Sequence, residues 1–153
     1  MSLGSTNFKT YLNLKKGKIY HDDKTYDYVE GYLKGIEAKE RTFRGELVKY
    51  WYVNIQSLTG DYYSLSIPYH SGAAKSLFNS LASAESFTEP VKILAYTDGH
   101  YTKVSTYLGD KKLNWKAPLP ALEEINVGTQ TIRDDSKRME YIVNLVNEIN
   151  TKI

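Results

Sequence analysis

Between Leu47 and Leu58 apolar and polar side chains alternate residue by residue: Trp51, Val53 and Ile55 share one parity, while Tyr50, Tyr52, Asn54 and Gln56 share the other. A period of 2 and not 3.6 requires an extended strand with one buried and one open face, so the chain must build a sheet around this segment. The open face carries rings. Tyrosine supplies 14 of the chain's 20 aromatic residues, and a ring with a polar tip suits sheet faces that are half exposed.

The neighbouring segments extend the sheet. From Tyr26 to Lys39 the positions Val29, Gly31 and Leu33 have one parity and Ile36 and Ala38 the other, with Gly35 between. A phase switch at a glycine predicts a bulged, sharply bent strand. Glu40 to Glu46 reads as a charged loop. Thr59-Gly60-Asp61 is a hairpin turn, followed by Tyr63, Leu65 and Ile67 alternating as far as Pro68. The spacing of apolar residues at 74, 77, 78 and 81 predicts a helix over 71–82 with Ser71 as N-cap. Val91 to Tyr96 and Tyr101 to Leu108 read as two further strands around a turn at 97–100.

The expected architecture is therefore mostly β: a five-stranded barrel over 26–116 with a helix between strands three and four. Residues 1–25 form a basic N-terminal extension in which Phe8 to Leu14 reads as a short strand and Lys16-Gly17-Lys18 as a turn. Residues 117–153 hold a linker stiffened by Pro118 and Pro120, then a C-terminal amphipathic helix from Asp134 to Ile149. Its stripe of Met139, Ile142, Val143, Val146 and Ile149 either docks on the barrel or joins copies into a homo-oligomer.

Several function classes recede on composition. There is no cysteine, which excludes disulfides, thiolate metal sites and a cysteine nucleophile. The histidines His21, His70 and His100 fall in turns without ligand-type spacing, and neither a phosphate-binding glycine loop nor a nucleophile elbow occurs. The expectation is a protein that is not an enzyme and that takes neither metal nor cofactor. No stretch reaches the roughly 20 apolar residues of a membrane helix, and the first five residues lack a signal-peptide core, so the expected setting is cytoplasmic with no membrane partner.

What remains is binding. Net charge is only +2, but 1–116 holds 16 Lys and Arg against 12 Asp and Glu, so any basic surface must come from local clustering. Single-stranded nucleic acid needs cations that follow phosphates and flat side chains on which bases stack. The candidate platform is Tyr50, Tyr52 and Tyr62, and the candidate track is Lys39, Arg41, Arg44, Lys49 and Lys103, with Phe43 in the first loop and Tyr101 in the last. Outward tyrosines also serve plain cross-strand pairing. Lys111, Lys112 and Trp115 are open to two readings, a further cation–aromatic contact or a solvated face.

The strand order, the bent first strand and the helix between strands three and four resemble the oligonucleotide/oligosaccharide-binding (OB) fold across about 90 residues. With tyrosine-rich strands and no catalytic constellation, the chain is similar to the single-stranded-DNA-binding proteins that bacteria and their viruses use in replication and recombination. The resemblance implies sequence-tolerant coating of exposed strands. Those bacterial proteins usually end in a glycine-rich linker and an acidic tip, and this chain ends in a helix, so the nearer comparison is a divergent phage-type binder. Two alternatives stand beside it: a protein-interaction or assembly module built on a small barrel, and an oligosaccharide binder.

Overall fold

The computed structural model describes residues 9–153, which places Phe8 outside the described residues. The chain is mostly β. Its strands are β1 (Lys9–Lys15), β2 (Lys18–His21), β3 (Lys24–Tyr26), β4 (Tyr28–Phe43), β5 (Glu46–Gln56), β6 (Tyr62–Pro68), β7 (Val91–Asp98), β8 (Tyr101–Leu108), β9 (Lys111–Lys112), β10 (Glu123–Val127) and β11 (Gln130–Asp134). Two helices complete it, α1 (Gly72–Leu81) between β6 and β7 and α2 (Ser136–Thr151) at the C-terminus.

Nine strands form one sheet in the order β3-β2-β1-β6-β5-β4-β7-β8-β9, and β10 and β11 pair only with each other. The expected five-strand sheet is thus larger and open, because β9 at one end and β3 at the other share no ladder. The N-terminal extension is the main source of the difference. Leu12 and Leu14 are buried while Tyr11, Asn13 and Lys15 are exposed, and β1 lies parallel to β6 with Tyr11 opposite Ser64 and Asn13 opposite Ser66. The turn at Lys16-Gly17, both at positive φ, then returns the chain as β2.

β4 bends where expected. Its register against β5 shifts between Leu33 and Gly35, so Leu33 and Ile36 both reach the core from opposite parities. Gly31 answers a different need: a Cβ there would lie 2.4 Å from the carbonyl oxygen of Gln56. Residues 40–46 do not form a loop. β4 runs on to Phe43 and turns into β5 through Arg44 and Gly45 alone, both with φ above zero. Two residues of that conformation suit the twist of a hairpin, and glycine relieves one of them.

The core lies between the inward face of this sheet and α1. Ala74, Leu77, Phe78 and Leu81 of α1 are buried on Val53, Leu65, Ile67, Ile93 and Val104 of the sheet, in one cluster. Ser71 caps α1 through the Ala74 N–H as expected. Trp51 belongs to this core: it stacks on Tyr69 at 4.7 Å, meets Phe78 edge-on, and donates its indole N–H to the Tyr69 carbonyl.

The linker and α2 close over the far side of α1. Buried Asn79 fixes the linker, donating to the Ala117 carbonyl at 2.6 Å and accepting from the Lys116 and Ala117 N–H groups. The second half of the linker is the β10–β11 hairpin, where a turn at Gly128 joins two exposed strands. α2 begins at Ser136, with the Asp134 carboxylate accepting from the Ser136 N–H. Ile142, Leu145, Val146 and Ile149 are buried with α1 in the same cluster, so the stripe docks on its own chain. Lys116 and Lys152 both reach Glu148.

Two variants test these contacts. Gly31→Ala should lower stability by about 1–3 kcal/mol in urea titration, since the backbone of β5 has to move away. Asn79→Ala should cost about 2 kcal/mol or more, because the buried backbone groups of residues 116–117 lose their partner.

Candidate nucleic-acid interface

The outward face of the sheet is set by register. Tyr50 and Tyr52 of β5 stand opposite Lys39 and Glu37 of β4 on one side and Pro68 and Ser66 of β6 on the other. β6 in turn places Ser64 and Ser66 beside Tyr11 and Asn13 of β1. Four strands therefore bring one row of rings, cations and small polar groups together from segments far apart in sequence.

The middle of that row is a groove of about 360 Å³ lined by Tyr11, Asn13, Lys39, Arg41, Tyr52 and Ser66. Small serines on β6 leave the depression, and the rings flank it. Tyr11 meets Tyr52 edge-on with centroids 6.4 Å apart. Tyr52 is only 9% exposed, whereas Tyr11 is 59% exposed, so Tyr11 presents the open ring of the pair. The Arg41 guanidinium lies 4.2 Å over the Tyr50 ring and the Lys39 ammonium 5.7 Å from that of Tyr52. Stacked in this way, the cations are held beside the rings they share the groove with.

An acid stands beside the groove, next along β4 from Lys39 on the same face. Glu37 ion-pairs with Lys39 at 3.2 Å and accepts from Asn54. Burial raises its carboxyl, but the hydrogen bonds from Lys39 and Asn54 and the charges of Lys39 and Lys9 outweigh this and hold it below its ordinary value. Among the described residues Lys9, Lys15 and Arg41 have no carboxylate within ion-pair distance. The face thus keeps a positive balance along β1 and β4.

The sequence-predicted residues separate by position. Lys39, Arg41 and Tyr52 line the groove, Tyr52 as its floor more than its surface, and Tyr50 stands beside it under the Arg41 guanidinium. Phe43 and Arg44 lie at the exposed tip of the β4–β5 arm, the guanidinium 5.2 Å from the ring. Tyr62 continues the row at its other end, half-buried between Gln56 and Lys9. Tyr101 shares a second depression with Lys15, Lys16 and Pro68, next along β1 and β6 from Asn13 and Ser66. Lys103 has the same parity on β8 and faces Tyr96 across the ladder.

Four do not join. Lys49 has the parity of Trp51, and its ammonium sits 4.2 Å over Tyr69 on the opposite side of β5. Lys111, Lys112 and Trp115 lie at β9 and just beyond, where the Trp115 indole donates to Ser76 of α1. They border a different depression with residues 83–86.

Sequence reasoning missed Tyr11, Asn13 and Lys15, together with Tyr20, over which Lys15 sits at 4.7 Å. Their alternation with Leu12 and Leu14 was a readable signal; the parallel partner of that strand was not. Among the described residues no cluster of His, Asp and Glu fit to hold a metal occurs, and no helix is long and apolar enough to cross a membrane. Comparisons with protein-family models, curated proteins and solved structures return no match for this chain.

A folded carboxyl held below its ordinary value of 4.5 contributes stability above that value and loses it as pH falls through the lowered one. Glu37→Gln should therefore flatten the acid side of a melting-temperature profile below pH 4.5, measured by circular dichroism.

Proposed function

We propose that this chain is a non-enzymatic single-stranded-DNA-binding protein that lays the strand along the outward face of β1, β6, β5 and β4. The observation that carries the reading is the groove itself, in which Tyr11 and Tyr52 meet Lys39 and Arg41. Bases stacking on open rings gain roughly 1–3 kcal/mol each, whatever their identity, and cations alongside track the phosphates. Tyr11 and Tyr50 are the stacking positions, Lys9, Lys15, Lys39 and Arg41 the phosphate contacts, and Tyr101 with Phe43 and Arg44 borders the two ends.

An OB-like reading of the sheet accompanies this proposal. Its support is the consecutive run β6-β5-β4-β7-β8, the bulged β4 and the helix after β6. In that reading β1–β3 are an addition beside β6 that widens the binding face. A cytoplasmic role on strands exposed in replication or recombination, of the divergent phage type, goes with the same reading.

The test is a fluorescence titration of the full chain with poly-dT at several salt concentrations. Quenching at low salt should weaken with a log–log slope of about −3, as about four phosphate contacts on a single strand imply. Tyr11→Ala and Arg41→Ala should each weaken binding about tenfold, about 1.4 kcal/mol, whereas Lys49→Ala and Lys111→Ala should leave it unchanged. Glu37→Gln should tighten binding, since a negative charge beside the Lys39 contact is removed. Absence of quenching at low salt, or affinity indifferent to salt, refutes the proposal.

A further inference from the structure

Lys39 and Arg41 of the groove suit phosphates, Tyr11 and Tyr52 suit base faces, and neither kind of contact tells one base from another. The lining also holds a side-chain amide, that of Asn13, and an amide can read base edges. β1 sets its place. Asn13 stands outward between buried Leu12 and Leu14, opposite Ser66 of β6 on one side and Tyr20 of β2 on the other.

Ser66 sets its orientation. The Ser66 side chain is buried in the sheet, and its hydroxyl donates to the Asn13 carbonyl oxygen Oδ1 at 2.5 Å. That separation lies in the range of O–H···O hydrogen bonds, about 2.5–3.0 Å, and short of the N–H···O range of about 2.7–3.2 Å, so the oxygen of the amide and not its nitrogen faces Ser66. The Nδ2 group keeps two N–H donors, and among the described residues it makes no hydrogen bond. Beside Tyr11 and Tyr52 the groove therefore presents an oriented donor. A keto oxygen on the edge of a stacked base satisfies it, whereas an exocyclic amino group there sets N–H against N–H and leaves both unpaired. Uracil and thymine carry oxygen at position 4 where cytosine carries an amino group, and guanine carries oxygen at position 6 where adenine carries an amino group.

We infer that Asn13 is a base-reading residue: held as a donor by Ser66, it favours 4-keto pyrimidines and 6-keto purines over their amino counterparts, in addition to stacking that ignores base identity. This rests on the proposed path of the single strand through the groove. Ser66 does not touch the base and acts as a positioning residue.

The experiment compares oligodeoxyuridine with oligodeoxycytidine of equal length in fluorescence titrations of the full chain over a salt series. The two strands share ring size, sugar and phosphates and differ at position 4 and the adjoining ring nitrogen. Wild type should bind the uridine strand about five- to tenfold tighter, the worth of one hydrogen bond gained and one amino group not left unpaired. Asn13→Ala should bring the two affinities together with the salt slope unchanged, because no phosphate contact is lost. Asn13→Asp still accepts from Ser66 but turns an oxygen to the groove, so it should invert the preference towards cytidine while weakening binding overall. Ser66→Ala should reduce the preference at an unchanged salt slope, since the amide is then free to turn. Equal wild-type affinity for the two strands, a preference that survives Asn13→Ala or Ser66→Ala, or one that Asn13→Asp leaves towards uridine overturns the inference while the single-strand reading stands. Binding to neither strand overturns both.

Discussion

The parallel ladder between β1 and β6 is the contact on which the outward face depends. Leu12 and Leu14 reach the core from a segment that would otherwise be a solvated tail, and each buried leucine contributes about 2 kcal/mol relative to exposure. The same pleat that buries them turns Tyr11, Asn13 and Lys15 outward, because successive side chains of a strand alternate. Burial of one parity and display of the other are a single event. Without it β5 would present Tyr52 to solvent on an edge-proximal sheet and no groove would form beside Ser66.

Side-chain amides hold the opposite side. Asn79 gathers residues 116 and 117 onto α1, and Asn150 supplies Ile36 with the two hydrogen bonds a neighbouring strand would have made. Lys152 reaches the Ala82 and Ala84 carbonyls at the end of α1. These polar contacts fix where α2 lies, while Ile142, Val146 and Ile149 supply the burial that makes docking favourable. Glu148 belongs to the same seam: the hydrogen bond from Lys116, together with Lys152, holds its carboxyl below the ordinary value although partial burial opposes this.

Local signals in the sequence transferred well to the structure and long-range ones did not. The period of Trp51, Val53 and Ile55, the Ser71 cap and the phase switch around Gly35 each depend on neighbours within a few residues, and each appears where expected. The charged stretch 40–46 misleads because polarity on both faces reads as a loop, whereas a hairpin arm projecting from the body has no buried face to mark. The hairpin at 123–134 is marked only by the short alternation of Ile125, Val127 and Ile132, on a face that stays exposed and joins no core. Lys49 shows the cost of counting charge without parity: one position from Tyr50, it points to the other side of β5. Tyr11 needed a partner strand 53 residues away, at Ser64, and a parallel pairing leaves no turn in the sequence to announce it.

The central claim is that DNA follows the row built by β1, β6, β5 and β4. Photo-crosslinking of the full chain to a bromodeoxyuridine oligonucleotide, with adducts located by mass spectrometry, tests it most directly. The account predicts adducts at Tyr11 and Tyr50, with none at Trp115. Adducts confined to Trp115 and its surroundings, or none at Tyr11 and Tyr50 under saturating oligonucleotide, would contradict it.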